Sequence, residues 1–484
     1  MGGEAERPGA IEAQAASDAT DWTGEDDPGN PRNFPRKTRI YSTISVTVLA
    51  FVTTFASSIY SPGIALVSSE FDVSHSVAVL PLSLYNLGLA AGPLLGSPLS
   101  ETYGRKIVLI VTTPGFMIFT LGAALAHDIV SLTVCRFFAG VCAAPAVGNA
   151  SASICDYTSG SKRAVSMAFY YAVPTFGASL GPLVGGFVVQ ARGWRWTQWT
   201  LIICAAVCYV PILFTKETYK KTILQRRAKR SGIAGPAVER KTLSQHVYYF
   251  ATTLLIRPVH MLFTEPIVGL VCLYNGFIFG LLYTFIIALP WIYEHYYDFN
   301  PTSINLSYLS LILGTIISPC PLILIDHYIY QPRLRAFSAT SPPPGSPYPP
   351  ENRLYPALLA SPILPATLFI FAWTVRPSIH WLCPIVFQAL TMLSNLMIYA
   401  PANLYMIDAY GPLYGASAAG AAMLSRYTFS AAFPLFALRF YRALGVGWAT
   451  SVLGFVALAL APVPWLFLRF GEGLRARSGY ERSV

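Results

Sequence analysis

A few charged side chains inside apolar segments are the residues of this chain most able to do chemistry. Arg136 lies within one such segment and is followed by Gly140 and Pro145. Because an ion is costly to bury in a bilayer, Arg136 needs a carboxylate or a carbonyl as its partner, and we interpret it as part of a mobile charge relay for proton coupling. The alternative is an anchor, since Arg136 lies about two turns from the polar pair His127 and Asp128 at the near membrane interface.

A second charged group lies in the segment GSPLSETYGRK, at residues 96–106. Glu101 and Arg105 can pair across two helix ends, and Asp156, which closes a later apolar segment, is the expected partner of Arg105. We therefore predict one charge cluster of Glu101, Arg105 and Asp156 that takes part in gating and stabilises the conformation in which these helix ends are closed together. An ordinary charged turn is the alternative.

Amide and phenol groups inside apolar segments predict a substrate cavity. An amide that faces lipid is costly, so Asn149, Asn275 and Asn395 are expected to face the protein interior. An aromatic, amide-lined pocket suits a bulky amphipathic ligand. For any single tyrosine, helix packing or lipid contact is the alternative. The remaining cavity candidates are Tyr60, Tyr274, Tyr399 and Arg426, with Ser57, Ser58, Asn86, Tyr170, Tyr171, Tyr283, Gln388 and Tyr427 as further lining residues.

Acidic residues are placed away from the centres of the apolar segments. Glu101, Asp156, Asp326 and Asp408 all lie near segment ends. A site for polyamines or other strong cations would require a buried carboxylate, so this placement favours neutral or anionic cargo. It also leaves the proton-carrying residue unidentified.

Other chemistries have no support in the sequence. The eight cysteines have no zinc-type spacing and are expected to be reduced, and the seven histidines lie in loops or at segment ends. The sequence has no GxxxxGK[ST] loop, Gly-x-Ser-x-Gly elbow or HExxH helix, which argues against direct ATP drive and hydrolysis. We predict that the protein is not an enzyme and has no metal site and no cofactor.

Membrane-spanning helices are the elements that must position these residues. Hydrophobic residues make up 54% of the 484 residues and charged residues only 12%, too few to cover a soluble globule. We predict an all-α membrane protein with twelve transmembrane helices, each near the roughly 20 apolar residues that a bilayer core requires. The predicted spans cover 40–66, 77–99, 107–126, 130–155, 164–189, 196–215, 267–290, 303–325, 354–375, 380–405, 415–438 and 445–468.

Positive charge predicts the orientation of these spans. The chain has a net charge of +10, and its Lys and Arg residues concentrate after spans two, four, six and eight, so both termini are expected to be cytoplasmic. Anionic lipid explains the basic loop after span six better than nucleic acid does. The predicted divisions are a disordered cytoplasmic N-terminus (1–39), an N-terminal six-helix half (40–215), a basic cytoplasmic linker (216–266), a C-terminal six-helix half (267–468) and a short cytoplasmic C-terminus (469–484).

The fifth span contains the glycine-rich run GASLGPLVGG, which ends at Gly186. Gly177, Gly181 and Gly185 recur every four residues, so they share one helix face and allow a neighbouring helix to approach closely. Pro182 removes a backbone donor and bends a helix, so we predict a hinge at this point. A generic helix-packing face is the alternative.

Several of these segments resemble one family. GASLGPLVGG resembles the antiporter signature in the fifth helix of major facilitator exporters, and RFFAGVCAAP, which begins at Arg136, resembles their proton-linked motif. GSPLSETYGRK is similar to their cytoplasmic hinge motif, with Glu101 where many members carry Asp. KETY, at residues 216–219, resembles a feature that sugar porters also share. Further segments that resemble fungal exporters cover 21–34, 273–293, 405–426 and 433–449.

The resemblance extends over nearly the whole chain from Asp21 and indicates the fungal twelve-span drug:proton antiporters. It implies a major facilitator fold whose two six-helix halves rock about a central site. It also implies proton-coupled export of a hydrophobic drug, toxin or fungal secondary metabolite by a monomer, which is expected in the plasma membrane. The expected partners are a small-molecule cargo, protons and the lipid bilayer, but no nucleic acid. An uptake porter for a nutrient or vitamin and a non-transporting membrane sensor are the alternatives.

Overall fold

Helices form most of the described chain. The computed structural model describes residues 21–24, 26–91, 96, 99–100, 102–158, 161–230, 256–339 and 348–480. These ranges contain no β-strand. The all-α class expected from the sequence is confirmed.

The described part of the N-terminal half contains six apolar helices. Asp128 caps the fourth of them, because its Oδ1 accepts the backbone N–H of Ser131 at 2.8 Å. A short helix, Ile64–Glu70, follows the first. The six are α1 Arg36–Ser58, α2 His75–Ala90, α3 Arg105–Ala124, α4 Ile129–Tyr157, α5 Ser161–Arg192 and α6 Arg195–Leu213.

The C-terminal half also contains six helices. Asn300 caps the second of them by accepting the N–H of Ser303 at 2.8 Å. The last three follow one another with almost no loop, because Gly411 (φ 61°) and Gly445 (φ 70°) each reverse the chain in a backbone conformation that favours glycine. The six are α7 Pro266–Tyr297, α8 Pro301–Ala339, α9 Tyr355–Thr374, α10 382–410, α11 412–444 and α12 446–476.

The twelve predicted spans correspond one to one with these helices. Ten described segments are long and apolar enough to cross a membrane, and one of them, Tyr414–Ala476, contains both α11 and α12. Helix α2 is a shorter apolar helix, because the end of its predicted span, 77–99, lies mostly outside the described residues. The region predicted as a linker contributes two further helices, Lys220–Arg230 and Arg257–Thr264.

Part of the N-terminal region that we expected to be disordered is ordered. Residues 21–24 and 26–34, here called the N-terminal strap, lie against the linker helix Lys220–Arg230. The buried carboxylate of Asp27 accepts hydrogen bonds from Arg227 Nη1 at 2.8 Å and Nη2 at 2.7 Å. The segment has few apolar residues, and such a composition predicts disorder. An ion pair with a residue far along the chain cannot be predicted from composition.

The two halves are closed against each other at one face and open at the other. Asn86 of α2 donates to the carbonyl of Ser430 on α11 at 3.4 Å, and Ser57 of α1 shares a hydrogen bond with Tyr283 of α7. At the face where α1 begins and α12 ends, here called the terminus face, a cavity of about 770 Å³ opens between the halves. Its lining comes from the start of α1, the facing ends of α4 and α5, and α8.

Candidate functional site

Arg136 is buried inside the N-terminal half. Its side chain is only 1% exposed. Nη2 donates to the carbonyl of Ala56 at 2.9 Å, and Nη1 lies 3.4 Å from Oε1 of Gln198. The rings of Tyr85 and Tyr60 lie 4.6 and 5.4 Å from the guanidinium carbon. Burial inside the helix bundle is what a charge relay requires, and it disfavours the anchor alternative. Of the two expected partners, the structure supplies a carbonyl rather than a carboxylate.

A close crossing of α2 and α4 positions these groups. A Cβ on Gly140 would lie 3.2 Å from the Cα of Gly88 and 3.1 Å from the carbonyl carbon of Tyr85. Glycine at this point lets the helix that carries Arg136 pack directly against the helix that carries Tyr85. The hydroxyl of Tyr85 donates to the carbonyl of Thr53 at 2.8 Å, which fixes the ring over the guanidinium. The sequence identified Gly140 but not its partner.

The structure brings Arg105 and Asp156 together at the terminus face. Nε of Arg105 lies 2.7 Å from Oδ2 of Asp156, which also accepts a hydrogen bond from the hydroxyl of Thr218 at 3.1 Å. Glu101, the third residue of the predicted cluster, lies outside the described residues. The pair joins α3 to α4 within the N-terminal half. It is formed while the terminus face is open, so it is not confined to the conformation in which that face is closed.

Glu217 belongs to the same cluster, although the sequence did not predict this residue as a member. Its two carboxylate oxygens accept the backbone N–H groups of Arg105 at 2.9 Å and Lys106 at 3.2 Å, at the start of α3. Gly104 precedes this start with a φ of 97°, which lets the chain turn around the carboxylate. A carboxylate at a helix N-terminus is stabilised by the free N–H groups there. The segment KETY could have indicated this role, because it directly follows α6 and therefore lies at the same face as Arg105.

The glycine face of α5 packs against α1. A Cβ on Gly177 would lie 2.6 Å from Oγ1 of Thr54, and one on Gly181 would lie 2.8 Å from the backbone nitrogen of Ile59. Gly185 faces the carbonyl of Ile59 in the same way. The predicted shared face is thus in contact with a neighbouring helix of the same half.

Gly186 contacts the other half instead. A Cβ at this position would overlap the side-chain amide of Asn305 in α8. The glycine run therefore serves two interfaces: three residues pack α5 against α1, and the fourth allows the halves to meet at the face opposite the termini.

Three of the predicted cavity residues meet at the junction of the halves. Arg426 of α11 donates a hydrogen bond through Nη1 to the hydroxyl of Tyr399 on α10. The rings of Tyr427 and Phe279 lie 4.4 and 4.8 Å from the guanidinium carbon. Asn395, one turn before Tyr399, lines with it a small cavity of about 10 Å³. Phe279 was absent from the candidates, because one phenylalanine in an apolar helix carries no sequence signal.

The other predicted cavity residues lie elsewhere or remain isolated. Tyr60 packs on Arg136 and donates to the carbonyl of Ala78 at 2.9 Å, so it belongs to the N-terminal site. Asn149, Tyr274 and Asn275 are buried as expected. No hydrogen bond or ring contact within the described residues joins them to Arg426.

The cavity at the terminus face is basic and amphipathic. Its charged members include three arginines and one aspartate. A cavity of this size matches the range found for small-molecule sites. The lining residues are Arg36, Arg39, Ile40, Thr43, Tyr157, Thr158, Ser166, Ile323, Asp326, His327, Gln331 and Arg335.

Two six-helix halves, an aromatic and cationic centre between them, and a cavity that opens at one face define a multi-pass membrane transporter. Sequence comparison identifies the family. The chain belongs to the Major Facilitator Superfamily, whose family model matches residues 46–434. The family expected from the motifs is thus confirmed.

Known proteins of this family cover almost the whole chain. The chain is 35% identical over 466 residues to the efflux pump radE of Floropilus chiversii, which covers 95% of this chain and 85% of that protein. It is 33% identical over 491 residues to the multidrug transporter TPO1_2 of Candida glabrata, which covers 100% of this chain and 83% of that protein. A crystal structure of the peptide transporter POT shares the fold, with a TM-score of 0.62 at 12% identity over 96% of this chain and 98% of that one.

Proposed function

We propose that this protein is a proton-coupled exporter of hydrophobic small molecules, with no catalytic step. The observation that carries the proposal is the asymmetry of the two faces. The halves are in contact through Gly186 and Asn305 at one face, while a cavity of about 770 Å³ opens at the other. This is one end state of an alternating-access cycle, in which rocking of the halves would close the terminus face and open the opposite one.

Export rather than uptake is favoured by the relatives. Proteins called an efflux pump and a multidrug transporter match nearly the entire chain. With the terminus face in the cytoplasm, as the distribution of Lys and Arg favours, the open cavity faces the compartment from which an exporter collects cargo. We propose a monomer in the plasma membrane, with both termini cytoplasmic.

Two charged sites would serve the cycle. Arg136 would couple proton movement to transport. Its present partners, the carbonyl of Ala56 and the amide of Gln198, do not titrate, so coupling would require Arg136 to exchange them for a titratable group when the halves rock. The cluster of Arg105, Asp156 and Glu217, with Glu101 as a further member, would hold the terminus ends of the N-terminal half together, so that this half moves as one body during gating.

Export from loaded cells tests the function and the role of Arg136 together. Yeast cells without their own exporters would be loaded with neutral and anionic hydrophobic dyes, and dye loss would be followed at two external pH values with and without a protonophore. We expect faster loss from cells that carry the protein, and no such acceleration with the protonophore. The variant Arg136→Lys should slow driven export about tenfold or more but change dye binding in detergent less than about threefold, because lysine lacks the planar fork.

The matched control is Arg192→Lys, at the exposed end of α5. It should behave like the unchanged protein. Dye accumulation instead of loss would indicate uptake, and export that resists the protonophore would remove the proton from the proposal. Normal pH dependence in the Arg136→Lys variant would show that this residue is not the coupling site.

A further inference from the structure

Arg426 is a buried cation with unused hydrogen-bonding capacity. Its side chain is only 5% exposed. Nη1 donates to Tyr399, but Nε and Nη2 have no acceptor in the part of the chain that the structure describes. No carboxylate forms an ion pair with Arg426 in those same ranges. The guanidinium therefore keeps free donors in a place from which water is largely excluded.

Aromatic rings around Arg426 compensate its charge only in part. Tyr427, Phe279 and Tyr399 lie with ring centres 4.4, 4.8 and 5.5 Å from the guanidinium carbon. A ring face attracts a cation but accepts no strong hydrogen bond, so it does not replace an anionic partner. Arg136 has more acceptors, since a carbonyl accepts its Nη2 at 2.9 Å and Oε1 of Gln198 lies 3.4 Å from its Nη1, which leaves only Nε without a partner in the described chain.

A neighbouring amide points to the same kind of ligand. Asn395 is 1% exposed, and neither its Nδ2 nor its Oδ1 has a hydrogen-bond partner in the described chain. It lines the small cavity together with Tyr399 and Phe279. Buried polar groups of native proteins nearly always have partners, so unpaired donors on two adjacent helices indicate a ligand that supplies acceptors.

The position of this group suits a cargo site that opens during the cycle. The ring of Tyr171, on α5 of the N-terminal half, lies 5.2 Å from that of Tyr399 in the C-terminal half. Movement between the halves would separate these rings and enlarge the cavity of about 10 Å³. On the terminus face, the basic cavity lined by Arg36, Arg39 and Arg335 would attract anions toward the opening.

We propose that Arg426 binds the anionic group, a carboxylate or an ionised phenol, of a hydrophobic cargo. Nε and Nη2 donate to the anion, the amide of Asn395 donates to a second oxygen, and Phe279, Tyr399 and Tyr427 pack against the apolar body. This proposal rests on the proposed function and narrows its cargo to organic anions. A purely structural role, in which Arg426 only joins α10 to α11, is the alternative.

Binding of matched probes tests the proposal. The probes would carry one of three hydrophobic groups, phenylbutyl, naphthylbutyl or pyrenylbutyl. Each hydrophobic group, the body of the probe, would be joined to a carboxylate, to a primary amide or to a primary amine. Their affinities for the full chain in lipid nanodiscs would be measured by fluorescence or calorimetry. We expect the carboxylate of at least one body to bind about tenfold or more tightly than its amide, and the amine to bind most weakly, because a charged hydrogen bond is stronger than a neutral one and like charges repel.

Variants at Arg426 separate the anion site from the structural role. Arg426→Gln should remove the preference for the carboxylate probe and change the affinity of the amide probe by less than about threefold. Arg426→Lys should keep part of the preference. Arg192→Gln, at the exposed end of α5 away from the terminus face, is the control and should keep the full ratio of carboxylate to amide affinity.

The comparison among probes in the unchanged protein needs no variant, so the test remains valid if Arg426→Gln fails to fold. Binding without preference for the anion, or tighter binding of the amine, would overturn the anion site and leave the proposed exporter standing. The same holds if Arg426→Gln keeps the preference. Failure of every probe to bind would count against both the anion site and the hydrophobic cargo of the proposed function.

Discussion

Three buried charges among the described residues are satisfied in different ways. Asp27 has a full ion pair with Arg227, Arg136 has a backbone carbonyl, and Arg426 has rings and one hydroxyl. The free energy of each arrangement depends on what replaces the lost water, and a full pair with several hydrogen bonds replaces it best. The first site is therefore expected to be static and the last to be the one that accepts a ligand.

Asp27 provides a test of the static site. Its carboxylate accepts N–H groups from Gly29 at 2.7 Å and Thr23 at 3.1 Å in addition to Arg227. Asp27→Asn keeps the size but removes the charge, so hydrogen exchange of the Thr23 and Gly29 amides at pH 7 should become about tenfold to a hundredfold faster. Asp26→Asn, at the exposed neighbouring carboxylate, is the matched control and should leave both amides unchanged.

The same residue predicts how the strap responds to pH. Hydrogen bonds from Arg227 hold the pKa of Asp27 well below its usual range. A lowered pKa contributes stability that is complete above the unfolded value, about 3.9, and is lost only as the pH falls toward the folded value. Exchange at Thr23 and Gly29, corrected for the intrinsic rate, should therefore be constant between pH 5 and pH 8. Equal exchange in the Asp26 and Asp27 variants would show that the pair does not hold the strap.

Helix α5 shows how four glycines divide their contacts between two partners. Gly177, Gly181 and Gly185 pack against α1, and Gly186 packs against α8. The four-residue spacing predicted that the first three share a face, because helical geometry fixes that relation. It did not predict which helix they meet, since period alone does not identify a neighbour. For the same reason Tyr60 was assigned to the central cavity, although it packs on Arg136.

Close packing at Gly181 predicts that a glycine-to-alanine substitution is more damaging there than at Gly148. A Cβ there would lie 2.8 Å from the backbone nitrogen of Ile59, whereas a Cβ on Gly148 of α4 would meet nothing within 4 Å. Gly181→Ala should lower the melting temperature in detergent and slow export, and Gly181→Leu should abolish export while the protein stays in the membrane. Gly148→Ala should be neutral or slightly stabilising, because alanine favours a helix by about 1 kcal/mol over glycine. Full export by Gly181→Leu at an unchanged surface level would contradict the assignment.

At the scale of the whole molecule, hydropathy predicted the twelve helices and their order, because a span of about 20 apolar residues is a property of one segment. Contacts between segments were predicted less well. Arg105 and Asp156 lie at adjacent helix ends and were paired correctly, but Glu217 and Thr218 in the same cluster were missed. Their roles depend on the position of the segment after α6 beside the start of α3, and no local sequence pattern predicts that position.

Closure of one face predicts that a covalent link there will stop the cycle. Gly186 and Asn305 are in contact across the halves, so cysteines at both positions, in a chain whose eight native cysteines are replaced by serine, should form a disulfide on oxidation. We expect oxidation to stop export and reduction to restore it. The single variant Asn305→Cys is the control and should be insensitive to oxidation. Continued export by fully cross-linked protein would show that the halves do not separate at this face.

The ion pair of the N-terminal strap also has a consequence for the order of events during synthesis. Asp27 and Arg227 are 200 residues apart in the chain. At about 5–20 residues per second, the ribosome completes Arg227 about 10–40 s after Asp27. All of α1 to α6 are made in this interval. The strap can therefore dock only on a chain whose first half has already been made.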